Sequence, residues 1–352
     1  MGKIIMDCDL MKHRHSGLYY YCLNLGVHIN QLLEEKGEER MKFYVPPAER
    51  HTFNDGRDAI VERPYHKFVK PFLWGCKVWH APFQTGRMIP PPDSSAKVVL
   101  TIHDLNQLHE GKPKEEQEEM LRKAQSLIDR SNAIVCISEF CKNDVLTHLK
   151  TTGKQVHVIH NGTHALQAPQ LSLSSYLPKR PFLFAIGYVN RKKNFHVLLN
   201  LLEGTDVELV VAGRLDEPDY IQAMKDDAKR RGLEERVHIL GPISEGEKSW
   251  YMKNCDAYVH PSLAEGFGAT VTEAMTFGKP VFLSHLTSLP EIAGDVAFYF
   301  KNFEPEHMQQ VFLEGMHYYS LNGLAQRIEQ RGKSYNWRHK AMEYLTVYQS
   351  LL

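Results

Sequence analysis

Short apolar runs alternate with amphipathic stretches along this chain, and that alternation leaves few folds open. The apolar runs cover residues 3–6, 42–45, 78–80, 98–102, 133–137 and 156–159, then 182–186, 207–212, 237–240, 257–260 and 280–283. Each is brief, apolar and bounded by turn residues, as strands buried on both faces of a parallel sheet should be. Helical patterns such as 115–129 and 220–231 lie between them. This rhythm predicts a doubly wound α/β architecture. It breaks over 165–180, where Pro169, Pro178 and several serines interrupt any period. A length of 352 residues is enough for two cores. The expected organisation is a Rossmann-like domain over 1–165, a linker over 166–180 and a second Rossmann-like domain over 181–335, the two facing across a cleft.

Composition removes several function classes. Lys+Arg and Asp+Glu number 42 each, which speaks against a nucleic-acid partner. The six cysteines, Cys8, Cys22, Cys76, Cys136, Cys141 and Cys255, contain no CxxC pair. Zinc is therefore not expected, and a reducing, cytoplasmic compartment is. The first apolar run is too short for a signal peptide, and no stretch approaches transmembrane length. Met6 stands where a myristoylation signal at Gly2 needs Ser or Thr. The sequon Asn161-Gly162-Thr163 reads as a turn. The glycine fingerprints of dinucleotide enzymes, P-loop proteins and α/β-hydrolases are missing.

Glu265 and Glu273 stand eight positions apart, with Gly266, Phe267 and Gly268 between them and a helix start after Gly268. Glycine lets a backbone approach a ligand closely. A helix N-terminus presents unpaired N–H groups and a positive dipole end, which suits a diphosphate. Carboxylates on either side of such a point accept hydrogen bonds from hydroxyls. A ligand with hydroxyls flanking a diphosphate fits, and a nucleotide sugar has that form. Acid pairs at this spacing are otherwise mostly solvated surface charges.

The stretch from Gly187 to Asn194 puts Arg191, Lys192 and Lys193 in a strand-to-helix loop. These cations can neutralise a departing diphosphate, Arg as a bidentate fork and Lys as a point charge. His103 ends an apolar strand of the first half, where it either contacts a sugar or packs and caps; Asp104 orients a neighbour. Gly17 lets the loop His13-Arg14-His15-Ser16 approach a ligand at the next helix start. Asp7-Cys8-Asp9 matches a metal-holding D-x-D pattern, but it follows the first strand with no nucleotide-binding half before it, so no metal site is assigned. Residues 67–77 interleave aromatics with lysines. Core packing of those aromatics is the favoured reading, and contact with an anionic membrane surface or a lipid-linked acceptor is the other.

These segments together resemble the retaining nucleotide-sugar glycosyltransferases of the GT-B fold, in particular glycosyltransferase family 4. The likeness runs through Asp7 and Ser16-Gly17, residues 101–105, 137–140 and 158–162, and Gly187 with Arg191-Lys192-Lys193-Asn194. It continues through 211–213, Pro261-Ser262, the Glu265–Glu273 segment, 288–291 and 335–337. It implies that Glu273 holds the ribose and that Glu265 contacts the donor sugar. The backbone at Gly266, Phe267 and Gly268 would meet sugar hydroxyls and phosphate, and Arg191 and Lys193, beside Gly187, the diphosphate. His103 would contact the sugar near its sixth carbon. The first domain would bind the acceptor, with Gly17 lining the cleft, and a terminal helix over 336–352 would cross back onto that domain. The family often has glycine where this chain has Tyr19, so the Gly17 loop should be bulkier.

The resemblance also implies transfer without a cofactor or metal, from a nucleotide-diphosphate sugar to a hydroxyl of a glycan or lipid-linked acceptor. A mannosyl-type donor is favoured over a glucosyl or rhamnosyl one, and surface polysaccharide assembly is the expected setting. The enzyme would be cytoplasmic, with peripheral membrane contact left open. A sugar-nucleotide 2-epimerase of the same fold and a non-catalytic sugar-nucleotide-binding protein are the alternatives.

Overall fold

The apolar runs form two sheets in the computed structural model, which describes residues 3–14, 16–84, 88–164, 166–172 and 175–352. Among the described residues the first sheet holds β1 (Lys3–Asp7), β2 (Lys42–Val45), β3 (Ala59–Val61), β4 (Cys76–Ala81), β5 (Lys97–Ile102), β6 (Ala133–Cys136) and β7 (Gln155–Val158). Its order is β3-β2-β1-β4-β5-β6-β7. The second holds β8 (Phe182–Ile186), β9 (Glu208–Ala212), β10 (Val237–Gly241), β11 (Ala257–His260), β12 (Val281–Ser284) and β13 (Phe298–Phe300), in the order β10-β9-β8-β11-β12-β13. The strands of both sheets pair in parallel.

Both orders are those of a doubly wound nucleotide-binding fold, and in each the winding reverses beside the first strand. Loops leaving the carboxyl ends of β1 and β4, or of β8 and β11, therefore border a ligand crevice. Alternate residues of a strand point to opposite faces. Ile4 and Met6 accordingly join one apolar cluster and Ile5 another, while Phe184 and Ala185 divide the second sheet in the same way. Strands β6, β9, β11 and β12 are buried at every residue, so they read as unbroken apolar runs. The edge strands β3 and β13 are three residues long and only partly buried, which is why no apolar run announces them.

The helices are α1 (Gly17–Glu35), α2 (Lys114–Asp129), α3 (Glu139–His148), α4 (Pro218–Arg230), α5 (Glu245–Asn254), α6 (Ala269–Met275), α7 (Leu289–Ala293), α8 (Pro305–Asn322), α9 (Leu324–Ser334) and α10 (Trp337–Ser350). Among the described residues no helix is long and apolar enough to cross a membrane. The chain divides into one unit of Met1–His164 with Tyr335–Leu352 and another of Ala165–Ser334.

Helix α10 thus packs into the first unit, where Trp337, Ala341, Tyr344, Leu345 and Tyr348 join the core beside α1. Gly162 gives it room: a Cβ there would lie 2.3 Å from the Trp337 ring. A buried polar network pins the helix. The Tyr344 hydroxyl is 2.5 Å from that of Tyr21 and 3.2 Å from Thr101 Oγ1. Thr101 Oγ1 lies 2.8 Å from His80 Nε2, and the Tyr348 hydroxyl 2.8 Å from His80 Nδ1.

Two expectations need correction. The 166–180 segment is not a free linker but is laid on the second unit. Gln170 N–H donates to Gly246 O at 3.0 Å, Ser175 donates to Glu247, and the Tyr176 hydroxyl donates to Glu208 at 2.8 Å while its ring stacks on His238. (Met1, Gly2, His15, Ala165, Leu173 and Ser174 lie outside the described residues.) Nor do Phe68 and Trp74 pack as a core. Phe68 is 88% exposed and Trp74 89%, on a stretch that is built of short 3₁₀ turns.

Candidate active site

The reversal point of the second sheet gathers the residues that sequence reasoning had linked only by spacing. The loop after β8 begins at Gly187, whose N–H donates to Ala212 O at 3.0 Å. Gly213, at φ +123, lies under it: a Cβ there would stand 2.0 Å from Gly187 O. Only glycine permits that approach. Asn190 caps the 3₁₀ turn Arg191–Lys193 by accepting from Lys193 N–H at 3.2 Å, and Asn194 closes it in the left-handed region at φ +58. The Lys193 stem then runs over Gly187, where a Cβ would be 3.1 Å from Lys193 Cε.

The loop after β11 meets this one along its backbone. Leu263 N–H donates to Lys192 O at 2.8 Å. Lys193 Nζ pairs with Glu265 Oε1, and His260 Nε2 donates to the same oxygen at 2.7 Å. Glu265 is fixed from behind as well: its N–H donates to Thr287 Oγ1 and its carbonyl accepts from the Ser288 hydroxyl, both at 2.9 Å. Thr287 holds a left-handed backbone, φ +52, to do so. Burial raises the Glu265 pKa, but Lys193 and His260 outweigh it and hold the carboxyl well below its usual range. Burial lowers the pKa of His260, so its imidazole is neutral. Both donors use Oε1, which leaves Oε2 to accept from a ligand hydroxyl.

Gly268 takes a left-handed conformation, φ +85, as N-cap of α6, against Leu289. Gly266 and the buried Phe267 form the turn before it. Glu273 lies within α6, buried, with Oε2 3.1 Å from Lys248 Nζ. The same ammonium lies 2.7 Å from Glu245 Oε2. Burial raises the Glu273 pKa against the pull of Lys248, while the two acids outweigh burial at Lys248 and keep it protonated. Each of the two glutamates therefore holds a lysine, the half-buried Lys193 for Glu265 and the buried Lys248 for Glu273. Lys193 and Glu265 come together; Glu273 is organised around Lys248, which sequence reasoning missed. Glu245-x-x-Lys248 looks like any solvated helix pair. His260 and Thr287 were missed too, since neither carries a local signal.

Arg191 turns elsewhere. Its guanidinium pairs with Glu217 at 2.5 Å, beside α4, and lies over the Tyr220 ring.

His103 and Gly17 belong to the first unit. His103 follows β5 and is buried; its Nε2 donates to Pro82 O at 2.8 Å, and its N–H donates to Gln84 Oε1 at 3.1 Å. Burial pushes its pKa down to about 4, so the ring is neutral and Nδ1 is the acceptor nitrogen. Gly17 opens α1, and a Cβ there would meet nothing within 4 Å, so packing does not demand glycine. Tyr19 donates its hydroxyl to buried Glu49 at 3.3 Å, which also holds Arg14 at 2.7 Å and Thr52 at 2.6 Å.

Residues 68–165 match the family model Glycosyltransferase Family 4, and residues 174–334 match Glycosyl transferases group 1. The O-antigen chain mannosyltransferase B of Escherichia coli is 22% identical, over 99% of this chain and 100% of that protein. A phosphatidyl-myo-inositol mannosyltransferase of Mycobacterium leprae is 31% identical over a shorter span, 42% of this chain and 40% of its own length. Among solved structures, sucrose-phosphate synthase from Thermosynechococcus elongatus superposes with a TM-score of 0.72 at 16% identity, covering 100% of this chain and 99% of that one. Anabaena HepE in complex with UDP-glucose gives 0.71 at 16% identity, covering 99% and 100%. The fold and these matches define a glycosyltransferase of the GT-B type. The chain belongs to glycosyltransferase family 4.

Proposed function

We propose that the enzyme is a retaining hexosyltransferase that moves a mannosyl-type sugar from a nucleotide-diphosphate donor to a hydroxyl of a glycan or lipid-linked acceptor in surface polysaccharide assembly. The observation that carries this is the Lys193–Glu265–His260 group, half-buried over a buried His260, at the reversal point of the second sheet. Support for the mannosyl donor comes from relatives named as mannosyltransferases, including the full-length match to the O-antigen enzyme.

Transfer from an activated sugar requires the departing diphosphate to be neutralised and the reacting hydroxyl to be held in place. Lys193 is a preorganised cation in a half-buried setting, where a charge interaction is worth more than in bulk water. Glu265, kept ionised, takes a sugar hydroxyl on Oε2. Glu273 takes the ribose, and the Gly266–Gly268 backbone faces sugar and phosphate. His103 is assigned a sugar hydroxyl, which its Nδ1 accepts. Arg191 reaches the diphosphate by exchanging an exposed pair with Glu217, and such pairs are worth about 1 kcal/mol or less. Retention then follows from attack on the face the diphosphate leaves, with the leaving oxygen accepting the acceptor proton, so no protein nucleophile is needed.

A thermal-shift screen against GDP, UDP and dTDP sugars, followed by transfer of labelled sugar from the best binder to glycan acceptors, tests the reading. The expected result is stabilisation by one donor, acceptor-dependent nucleotide release and an anomeric product of unchanged configuration. Conversion of the donor to its 2-epimer without acceptor, or an inverted product, would overturn it.

A further inference from the structure

The segment between β3 and β4 has no part in the site described above, yet it is built with care. It crosses the sheet as two 3₁₀ turns, Pro64–Lys67 and Pro71–Leu73. It is anchored from beneath. His66 is buried, accepts Arg63 N–H at its Nδ1 at 3.2 Å and lies 3.3 Å from the Tyr44 hydroxyl. Leu73 packs on the cluster that contains Tyr44 and Trp79. Above those anchors the side chains point to water: Phe68 is 88% exposed, Trp74 89%, Val69 60% and Tyr65 55%. Single exposed apolar residues are ordinary, but four large ones in ten residues, led by a tryptophan and a phenylalanine, are not.

Along the chain after Glu62, the formal charges of this stretch have one sign. Arg63, Lys67, Lys70 and Lys77 fall in this stretch, and no Asp or Glu occurs between Glu62 and Asp93. In a chain of zero net charge this asymmetry is local.

We propose that this face seats on an anionic lipid bilayer, with Trp74 and Phe68 entering the interface and Lys67, Lys70 and Arg63 meeting lipid phosphates. Tryptophan and other amphipathic aromatics favour the headgroup level, where one end is apolar and the other wet. Basic residues close to a negative surface add attraction that decays within a Debye length. Self-association suits the patch poorly. A two-fold contact would set the same lysines against their copies, and like charges would oppose it. The inference stands apart from the donor chemistry, because it concerns where the enzyme sits and not what it transfers.

The test uses the full chain with vesicles of phosphatidylcholine alone and of phosphatidylcholine with phosphatidylglycerol, read by co-sedimentation and tryptophan emission. Trp79 and Trp337 are buried and Trp250 lies half-buried against Phe182 in the second unit, so insertion of Trp74 should shift the emission to the blue and W74F isolates that shift. Binding should require phosphatidylglycerol and weaken as salt rises from about 0.1 M to about 1 M, where the Debye length falls from about 10 to about 3 Å. W74F should lose the emission shift. K67Q/K70Q should weaken partitioning roughly fivefold per lysine, and F68S/W74S roughly tenfold or more. Phe68, Trp74 and Lys67 are exposed and Lys70 half-exposed, so all three variants should melt with the parent. Failure to bind the anionic vesicles, or equal binding by F68S/W74S, would overturn the proposal. So would a lipid-free dimer that F68S/W74S dissociates, which would make the patch a self-association surface.

Discussion

Lys193 is the side chain to which the proposed function assigns the leaving diphosphate. Its stem is seated over Gly187 and its ammonium is held by Glu265, so its place is fixed before any ligand arrives. Lys193→Ala should lower kcat for transfer about 10²–10³-fold, the usual loss for one charge-stabilising donor. Steady-state kinetics at saturating donor checks this, and near-normal turnover would reassign the role. Lys248 acts differently, because it is caught between Glu245 and Glu273 inside the fold. Lys248→Met strands a buried carboxylate and should cost about 3 kcal/mol in denaturant unfolding, as broken buried pairs do. Adding Glu273→Gln should recover part of that loss, since the pair shares one interaction. If the two changes simply add, Lys248 does not support Glu273.

At the scale of elements, two parts carry the architecture beyond the sheets. One is the pair of loops after β8 and β11, stitched by Leu263 N–H to Lys192 O and by the Lys193–Glu265 pair, with Gly213, after β9, lying under Gly187. The other is α10, far away in sequence yet fastened to the first sheet by Tyr344 and Tyr348 through Thr101 and His80. Tyr344→Phe or Tyr348→Phe keeps the packing and deletes a hydroxyl inside a dry network. Each should cost about 1–3 kcal/mol, because the groups left behind lose their partner where no water replaces it. The double variant should cost less than the sum of the two, since the network is shared. Denaturant melts of the three proteins decide, and a change below the error of the method would show that the helix is held by its apolar face alone.

For the whole molecule, burial of neutral imidazoles sets the response to acid. Burial pushes His80 down to about 3 and His103 to about 4, from an ordinary 6.5. The folded chain leaves both unprotonated while the unfolded chain protonates below about 6.5. Stability present above that pH is therefore lost as pH falls toward about 4, at about 1.4 kcal/mol per pH unit for each histidine. Glu265, held below its usual range, adds a loss of the same sign further into acid; Glu273, raised, opposes it. The melting temperature should thus drop between about pH 7 and pH 5. His103→Gln should flatten that slope, whatever it does to the absolute value, and an unchanged slope would place the proton uptake elsewhere.

The sequence alone determined the strand runs, the parallel doubly wound class and the Gly266–Gly268 turn between Glu265 and Glu273. Those features are written in local period and in glycine, because burial on two faces and tight backbone geometry constrain each residue by itself. Partnership is different. Nothing near Lys248 says that it meets Glu273 and not water, nothing near Arg191 says that its fork goes to Glu217, and a stretch such as 65–74 reads like core although Phe68 and Trp74 stand in solvent. These outcomes depend on which segments the sheet order brings side by side and on how much apolar surface each element finds to cover. Only the tertiary structure decided them, since an ion pair or a buried ring exists only once its distant neighbour has arrived.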